Sequence, residues 1–135
     1  MIVRTLERAN QSARSVVSPD GNWESCRLLL EEDGMGFSFH ITTIYGGKSC
    51  RLHYTNHLES VYCMAGKGSI KSLLTEEIFQ IEPGTVYALD QHDPHILTAE
   101  EDLILACVFN PPVVGNETHR PDGSYGLDGE SLNLE

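Results

Sequence analysis

The chain lacks any run of 18 apolar residues, the length that a membrane-spanning helix requires. Its first ten residues, MIVRTLERAN, are charged and lack the apolar core of a signal peptide. We therefore expect a cytoplasmic protein. Its 135 residues are enough for a single domain with one packed core.

Basic residues are few. Nine Lys and Arg stand against 20 Asp and Glu, which gives a formal net charge of -11 and a pI of about 4.8. Binding to a nucleic acid backbone or to an anionic membrane surface depends on clustered basic side chains. The composition therefore predicts neither nucleic acid nor a membrane as a partner. An ordinary acidic enzyme and an adaptation to high salt both remain compatible with it.

Cysteine pairs with metal-site or redox spacing are missing as well. The four cysteines, Cys26, Cys50, Cys63 and Cys107, include no C-x-x-C pair. This excludes a zinc ribbon and a thioredoxin-type motif. In a cytoplasmic protein we expect all four thiols to be reduced.

Short strand-like segments separated by turn residues make up most of the chain. The segment around Leu6 is compatible with a short helix or an edge strand, and SPDGN at 18–22 is a strong turn signal. Nine short strands at this spacing predict an all-β sandwich or barrel. The predicted strands are 23–31, 37–45, 49–55, 59–64, 69–74, 77–81, 85–89, 95–98 and 103–109.

One stretch, GKSCRLHYTNHLESVYCMAG, resembles the cupin pattern G-x5-H-x-H-x3-E-x6-G. Gly47, His53, Glu59 and Gly66 are in register, whereas Thr55 replaces the second histidine. Cupins bind a metal at the barrel mouth through histidine and carboxylate ligands. The missing histidine leaves a cupin without metal as an alternative.

A second cupin-like stretch, PGTVY at 83–87, places Tyr87 where a cupin normally has a metal-binding histidine. In DQHDPH, His92 is expected in an exposed turn and His95 at the start of a strand. Three pairs of residues share strand faces and suit the wall of a small-ligand pocket, although ordinary packing explains each pair alone. These pairs are Trp23 with Ser25, His40 with Thr42, and Cys107 with Phe109.

The C-terminal segment 115–135 is polar and rich in glycine. It is either a solvated end or a lid over a barrel mouth. Glu117 and His119 lie two residues apart, so an extended backbone would point both side chains the same way. As part of a lid, they could act as an acid/base pair.

The stretches MGFSFHITT, HYTNHLESVYCMAGKG, PGTVYALDQHDPH, ACVFNPP and GNETHRPDGSYG together resemble the ectoine synthase family. The likeness runs from Met1 to about Tyr125 with matching order and spacing. It implies a single-domain cupin barrel of jelly-roll type, a cytoplasmic homodimer that depends on iron (Fe2+). The implied reaction is that of a hydro-lyase in compatible-solute synthesis under osmotic stress. N-γ-acetyl-L-2,4-diaminobutyrate would close to ectoine with loss of water.

The resemblance also implies roles for individual residues. The metal ligands would be Glu59, Tyr87 and His95. Proton transfer would involve Tyr54, His57, Glu117 and His119, which the sequence does not rank. The substrate pocket would comprise Trp23, Ser25, Thr42, Tyr54, His57, Cys107, Phe109, Glu117 and His119.

Two other function classes and one conflict stay open at this point. An iron cupin dioxygenase usually has a histidine-rich ligand set, which the tyrosine at position 87 disfavours. A ligand-sensing cupin module is disfavoured because no basic helix-turn-helix segment accompanies the strands.

The generic cupin pattern points His53 inward, whereas the family resemblance points Tyr54 inward. A bulge would reconcile the two.

Overall fold

The computed structural model describes residues 1–127, and it folds them into two antiparallel β-sheets that share one core. The strand order is β1-β2-β3-β10-β5-β8 in the six-stranded sheet and β4-β9-β6-β7 in the four-stranded sheet. The elements are α1 (Leu6–Ala9), β1 (Ser15–Val17), β2 (Trp23–Leu29), a 3₁₀ helix (Glu31–Asp33), β3 (Ser38–Ile44), β4 (Ser49–Leu52), β5 (Leu58–Ala65), β6 (Gly68–Ser72), β7 (Ile78–Ile81), β8 (Val86–Leu89), β9 (His95–Ala99) and β10 (Leu103–Asn110).

Alternating burial along the strands separates the core from the outer surface. In β5, Glu59, Val61 and Cys63 are buried, while Ser60 and Tyr62 between them are exposed. The alternation follows from the strand geometry, which turns successive side chains to opposite faces. Burying the inner side chains of both sheets against each other removes their apolar surface from water and holds the sheets together.

Strand β3 turns its more polar face inward. Ser38 and His40 are fully buried, whereas Phe39 and Ile41 on the other face are only half-buried. Its neighbours β2 and β10 pair with it in antiparallel register. The sheet therefore places polar side chains inside an otherwise apolar core at this strand.

The nine predicted strands are confirmed, with shorter bounds in several cases, and β1 is an additional short strand. The segment around Leu6 is helical. Strand β4 ends at Leu52, but the alternation continues beyond it, so Tyr54 is buried and Thr55 is exposed. The inward orientation of His53 that the generic cupin pattern predicts is therefore wrong. No bulge interrupts the β4 register.

Residues 115–127 of the predicted tail pack against the sheets instead of extending into solvent. Glu117, Ser124 and Tyr125 are buried. The backbone N–H of His53 donates to the carbonyl of Gly123 at 3.0 Å and ties this segment to the end of β4. The rest of the predicted tail, 128–135, lies outside the described residues. Over residues 1–127, no helix is long and apolar enough to span a membrane.

Candidate active site

A narrow cavity lies between the two sheets beneath the C-terminal segment. Its free volume is about 30 Å³, enough for one or two water molecules. Two sequence-predicted sets, the substrate pocket and the metal ligands, contribute most of its wall. The predicted residues that line it are Trp23, Ser25, Thr42, Tyr54, Glu59, Tyr87, Cys107, Phe109 and His119.

Hydrogen bonds on β2 and β3 make Ser25 a donor toward this cavity. Thr42 Oγ1 donates to Ser25 Oγ at 3.0 Å, and Arg27 Nε donates to the same atom at 3.3 Å. A hydroxyl has two acceptor lone pairs and one proton. Since both lone pairs are used, Ser25 keeps its proton for an acceptor in the cavity. The fully buried guanidinium of Arg27 strengthens this donor.

Tyr54 and His119 form a direct hydrogen bond although 65 positions separate them in the chain. The Tyr54 hydroxyl lies 2.8 Å from His119 Nε2. Burial lowers the pKa of His119 to about 3, and the positive charge of Arg27 adds to the effect. Burial also raises the pKa of Tyr54 well above its usual range. Both groups are therefore neutral, and one short hydrogen bond joins them.

The three predicted metal ligands come from both sheets. Glu59 on β5 pairs with Leu89, and Val61 pairs with Tyr87, so Glu59 and Tyr87 are diagonal neighbours on the inner face. His95 begins β9 in the opposite sheet, with its ring 6.2 Å from that of Tyr54. Tyr87 and His95 also line a neighbouring groove of about 380 Å³ between β7 and β8.

The chemistry of these three side chains fits a metal. His95 Nδ1 donates to the Asp93 carbonyl at 2.9 Å, which leaves the lone pair on Nε2. Within residues 1–127 this buried atom has no hydrogen-bond partner. A ring held by a carbonyl at one nitrogen and free at the other is the usual state of a metal-binding histidine. Burial raises the pKa of Glu59 to about 8, although a hydrogen bond with Cys107 opposes the effect. A cation would compensate a carboxylate buried in this way.

Within the described residues, no three side chains drawn from His, Cys, Asp and Glu lie close enough together to hold a metal ion. The predicted set differs because its third member is the phenol of Tyr87. Burial raises the pKa of Tyr87 well above its usual range. A phenol becomes a good ligand only after it loses its proton, and a bound cation favours that loss.

Two of the predicted catalytic residues do not line the cavity. His57 is buried beside it, with its ring edge-on to Phe109 at 5.7 Å, and its Nδ1 has no hydrogen-bond partner in the described part of the chain. Glu117 accepts hydrogen bonds from the backbone N–H groups of Val114 at 2.6 Å and Gly115 at 2.8 Å. These two bonds hold the backbone at 114–115, and the proton-transfer role of Glu117 stays a prediction.

Apart from aliphatic side chains, the predicted set omits two residues that line the cavity, His40 and Tyr125, and Arg27, which bonds to Ser25 beside it. Arg27 follows Ser25 at the two-residue spacing of one strand face, which was a usable signal. His40 shares a strand face with Thr42, yet the predicted set does not include it. Ser38 Oγ accepts from Val113 N–H at 3.0 Å and lies 3.0 Å from His40 Nε2. The hydrogen bond between Ser38 Oγ and Nε2 fixes the His40 ring on the inner face of β3.

Comparison with known proteins identifies the family. The family model described as ectoine synthase matches residues 1–129. The chain belongs to the ectoine synthase family. It is 58% identical over 132 residues to the L-ectoine synthase of Teredinibacter turnerae, covering 98% of this chain and 100% of that relative. It is 55% identical to the L-ectoine synthase of Vibrio cholerae over 133 residues, 98% of this chain and 94% of that one.

Solved structures agree with the family assignment and confirm the fold. The crystal structure of ectoine synthase from P. lautus superposes with a TM-score of 0.81 at 43% identity, over 85% of this chain and 81% of that one. A cupin 2 conserved barrel domain protein from Salinispora arenicola gives a TM-score of 0.63 at 21% identity, over 81% and 87% of the two chains. The second likeness concerns the fold alone. The all-β cupin barrel predicted from the sequence is therefore confirmed.

Proposed function

We propose that this protein is an ectoine synthase, a hydro-lyase that converts N-γ-acetyl-L-2,4-diaminobutyrate into ectoine and water. The observation that carries the proposal is the coincidence of the family match with a pocket inside the barrel whose wall combines polar and apolar side chains. That pocket brings together residues from seven strands and the C-terminal segment. A substrate with one carboxylate, one amine and one amide requires such a mixed wall.

In this reaction the α-amino nitrogen attacks the acetyl carbonyl carbon of the same molecule. A C–N bond forms and the carbonyl oxygen leaves as water with the two protons of the neutral amine. The product is a six-membered ring containing an amidine. A group must accept protons from the nitrogen, and a group must deliver them to the departing oxygen. The chain must also fold a flexible substrate so that its ends meet.

The cavity residues can meet these requirements once the wall opens to admit the substrate, since the free volume of about 30 Å³ holds only one or two water molecules. The Ser25 hydroxyl is assigned to the substrate carboxylate because its proton is free and Arg27 lies behind it. Trp23 and Phe109 are assigned to the bent chain of the substrate. Tyr54 and His119 are best placed to accept and return protons, because they already share a hydrogen bond of 2.8 Å. His57 would support them from its buried position beside Phe109.

Glu59, Tyr87 and His95 would hold the metal, which we propose to be Fe2+. When bound, the metal would supply a Lewis acid that makes the amide carbonyl a better electrophile. The unpartnered Nε2 of His95 and the buried carboxyl of Glu59 support this assignment. The family resemblance, and not the ligand set, favours iron over other divalent metals.

We further propose a cytoplasmic homodimer that makes a compatible solute for osmotic stress. Exposed apolar side chains on the outer face of the six-stranded sheet support association. Tyr62 and Met64 on β5 are each 49% exposed, and Val86 on β8 is 65% exposed. Their proximity on neighbouring strands forms an apolar surface that a second copy could cover.

The proposed reaction is tested directly. Purified protein is supplied with Fe2+ and the acetylated diamino acid, and the product is identified by proton NMR. We expect ectoine to accumulate, and Glu59→Ala to form at least a hundredfold less because it lacks a metal ligand. The absence of ectoine from the wild-type reaction would overturn the proposal. Oxygen consumption with a different product would instead indicate a dioxygenase.

A further inference from the structure

Tyr125 lies at the end of the GNETHRPDGSYG stretch, yet its side chain is part of the cavity wall. It is only 4% exposed. Its ring centroid is 5.1 Å from that of Tyr54 and 5.5 Å from that of Phe109. None of the roles described so far requires this tyrosine.

The ring of Tyr125 stacks on the ring of His119. The centroids are 4.6 Å apart and the planes differ by 10°. The ring of Trp23 meets the same imidazole nearly edge-on, at 5.3 Å and 80°. These two contacts fix the plane of the imidazole, and the hydrogen bond to Tyr54 fixes its rotation within that plane. Aromatic contacts of this kind add to the stability gained from burial alone.

Tyr125 is itself held at both ends. Arg27 Nη2 donates to the Tyr125 hydroxyl at 3.3 Å. Asn56 Nδ2 donates to the Tyr125 backbone carbonyl at 2.9 Å. Arg27 is fully buried on β2, and its guanidinium also lies 5.6 Å from the Tyr125 ring centroid. The position of the tyrosine ring is thus set by the barrel and not by the C-terminal segment alone.

We propose that Tyr125 is a positioning residue, whose stacked ring holds the His119 imidazole in the orientation that bonds to Tyr54. The proposal rests on the proposed function, in which Tyr54 and His119 transfer protons. Without a flat ring beside it, the imidazole can turn away from Tyr54 while remaining in the cavity. The path between the two groups is then broken although both are still present.

Kinetic comparison of Tyr125→Leu with Tyr125→Phe tests the stack. Leucine fills part of the space but offers no flat surface, so we expect kcat to fall at least tenfold while KM changes less than threefold. Phenylalanine keeps the stacked ring and loses only the hydroxyl with its bonds to Arg27 and Tyr54, so kcat should stay within threefold of wild type. Tyr45→Leu is the matched control, since Tyr45 is a half-buried tyrosine that bonds to Glu24 outside the cavity, and it should retain wild-type kcat.

Wild-type kcat in Tyr125→Leu would overturn the proposal. An equal loss in Tyr125→Phe would also overturn it, because the hydroxyl and not the stack would then be responsible. If Tyr125→Leu does not fold, Asn56→Ser replaces it, since this change removes the bond to the Tyr125 backbone carbonyl and lets the intact tyrosine ring shift off His119. A loss of at least threefold in kcat is then expected, and wild-type kcat would refute the stack.

A second measurement needs no turnover. The 15N chemical shift of His119 Nε2 in substrate-free protein reports its hydrogen bond to Tyr54. We expect the bonded signal in wild type and Tyr125→Phe, and its loss in Tyr125→Leu. A bonded signal in Tyr125→Leu refutes the positioning role even if the protein makes no ectoine. The proposed reaction and the positioning role can therefore fail separately.

Discussion

Phe109 belongs to the cavity wall and to the core at the same time. It is 2% exposed, stacks on His40 at 4.9 Å, and meets Tyr54 edge-on at 5.0 Å. From the sequence, a pocket wall and an ordinary core position were competing explanations. In the structure Phe109 has both roles, because the cavity is so small that a residue lining it is also packed in the core.

Truncating this ring should therefore affect stability as well as turnover. Phe109→Ala removes contacts with buried aromatic rings, so we expect a loss of about 3–5 kcal/mol in unfolding free energy. Phe109→Leu retains most of the volume and should lose less stability, while kcat still falls more than tenfold because the substrate loses a flat support. Chemical denaturation and steady-state kinetics measure the two effects. A Leu variant with normal kcat would return Phe109 to a purely structural role.

His119 also predicts a dependence of stability on pH. Its pKa is about 3 in the folded protein because of burial and then Arg27, against about 6.5 when unfolded. The unfolded chain therefore binds the proton first as the pH falls below 6.5, which destabilises the fold. Above pH 6.5, His119 does not lower the free energy of unfolding. As the pH falls from 6.5 to about 3, its protonation in the unfolded chain lowers that free energy progressively. At pH 5 the loss from this group is about 2 kcal/mol.

Comparison with His119→Gln isolates this contribution from those of other titrating groups. Glutamine cannot ionise but can still bond to Tyr54. The difference in unfolding free energy between wild type and variant should change by about 2 kcal/mol between pH 7.5 and pH 5. Denaturant titrations at the two pH values measure it. A constant difference would mean that His119 titrates normally in the folded state.

At the scale of elements, strand positions were predictable because alternation of side chains is a local property. The pairs on β2, β3 and β10 followed from the two-residue period, and the same period could have added Arg27. The contact between Tyr54 and His119 could not be derived in this way, since it joins residues 65 positions apart. It depends on how the C-terminal segment returns to the barrel, which no local pattern encodes. The family resemblance placed both residues in the pocket without indicating that they touch.

The packing of the C-terminal segment against β4 depends on Gly123. Its φ of +86° is unfavourable for other residues, and a Cβ there would lie 2.8 Å from His53 N and 2.9 Å from Arg51 O. Gly123→Ala should therefore push the turn at 120–124 away from β4. We expect kcat to fall at least tenfold and proteolysis after 115 to accelerate, while the metal remains bound because its proposed ligands lie on strands.

Gly34→Ala is the control for backbone strain. Gly34 has a φ of +71°, but no atom lies within 4 Å of the added Cβ. It should lose a similar amount of stability from the left-handed backbone and keep wild-type kcat. If Gly123→Ala keeps wild-type kcat as Gly34→Ala does, close packing of the C-terminal segment against β4 is not needed for turnover.

At the scale of the whole molecule, the proposed metal would join the two sheets. Glu59 and Tyr87 belong to the six-stranded sheet, whereas His95 begins β9 in the four-stranded sheet. A ligand that binds only the folded state stabilises it by about 2.7 kcal/mol when its free concentration is 100 times Kd. Chelation should therefore lower the melting temperature, and addition of Fe2+ should restore it.

Two histidine variants determine which ligand pattern is correct. His95→Ala should abolish the metal-dependent rise in melting temperature, because it removes the inward-facing nitrogen that has no partner within residues 1–127. His53→Ala should keep the rise, since the backbone at this position directs Tyr54 and not His53 into the core. Calorimetry with and without Fe2+, together with metal analysis, gives both answers. If His53→Ala lost the metal and His95→Ala kept it, the generic cupin ligand pattern would be correct and the assignment to Glu59, Tyr87 and His95 would fail.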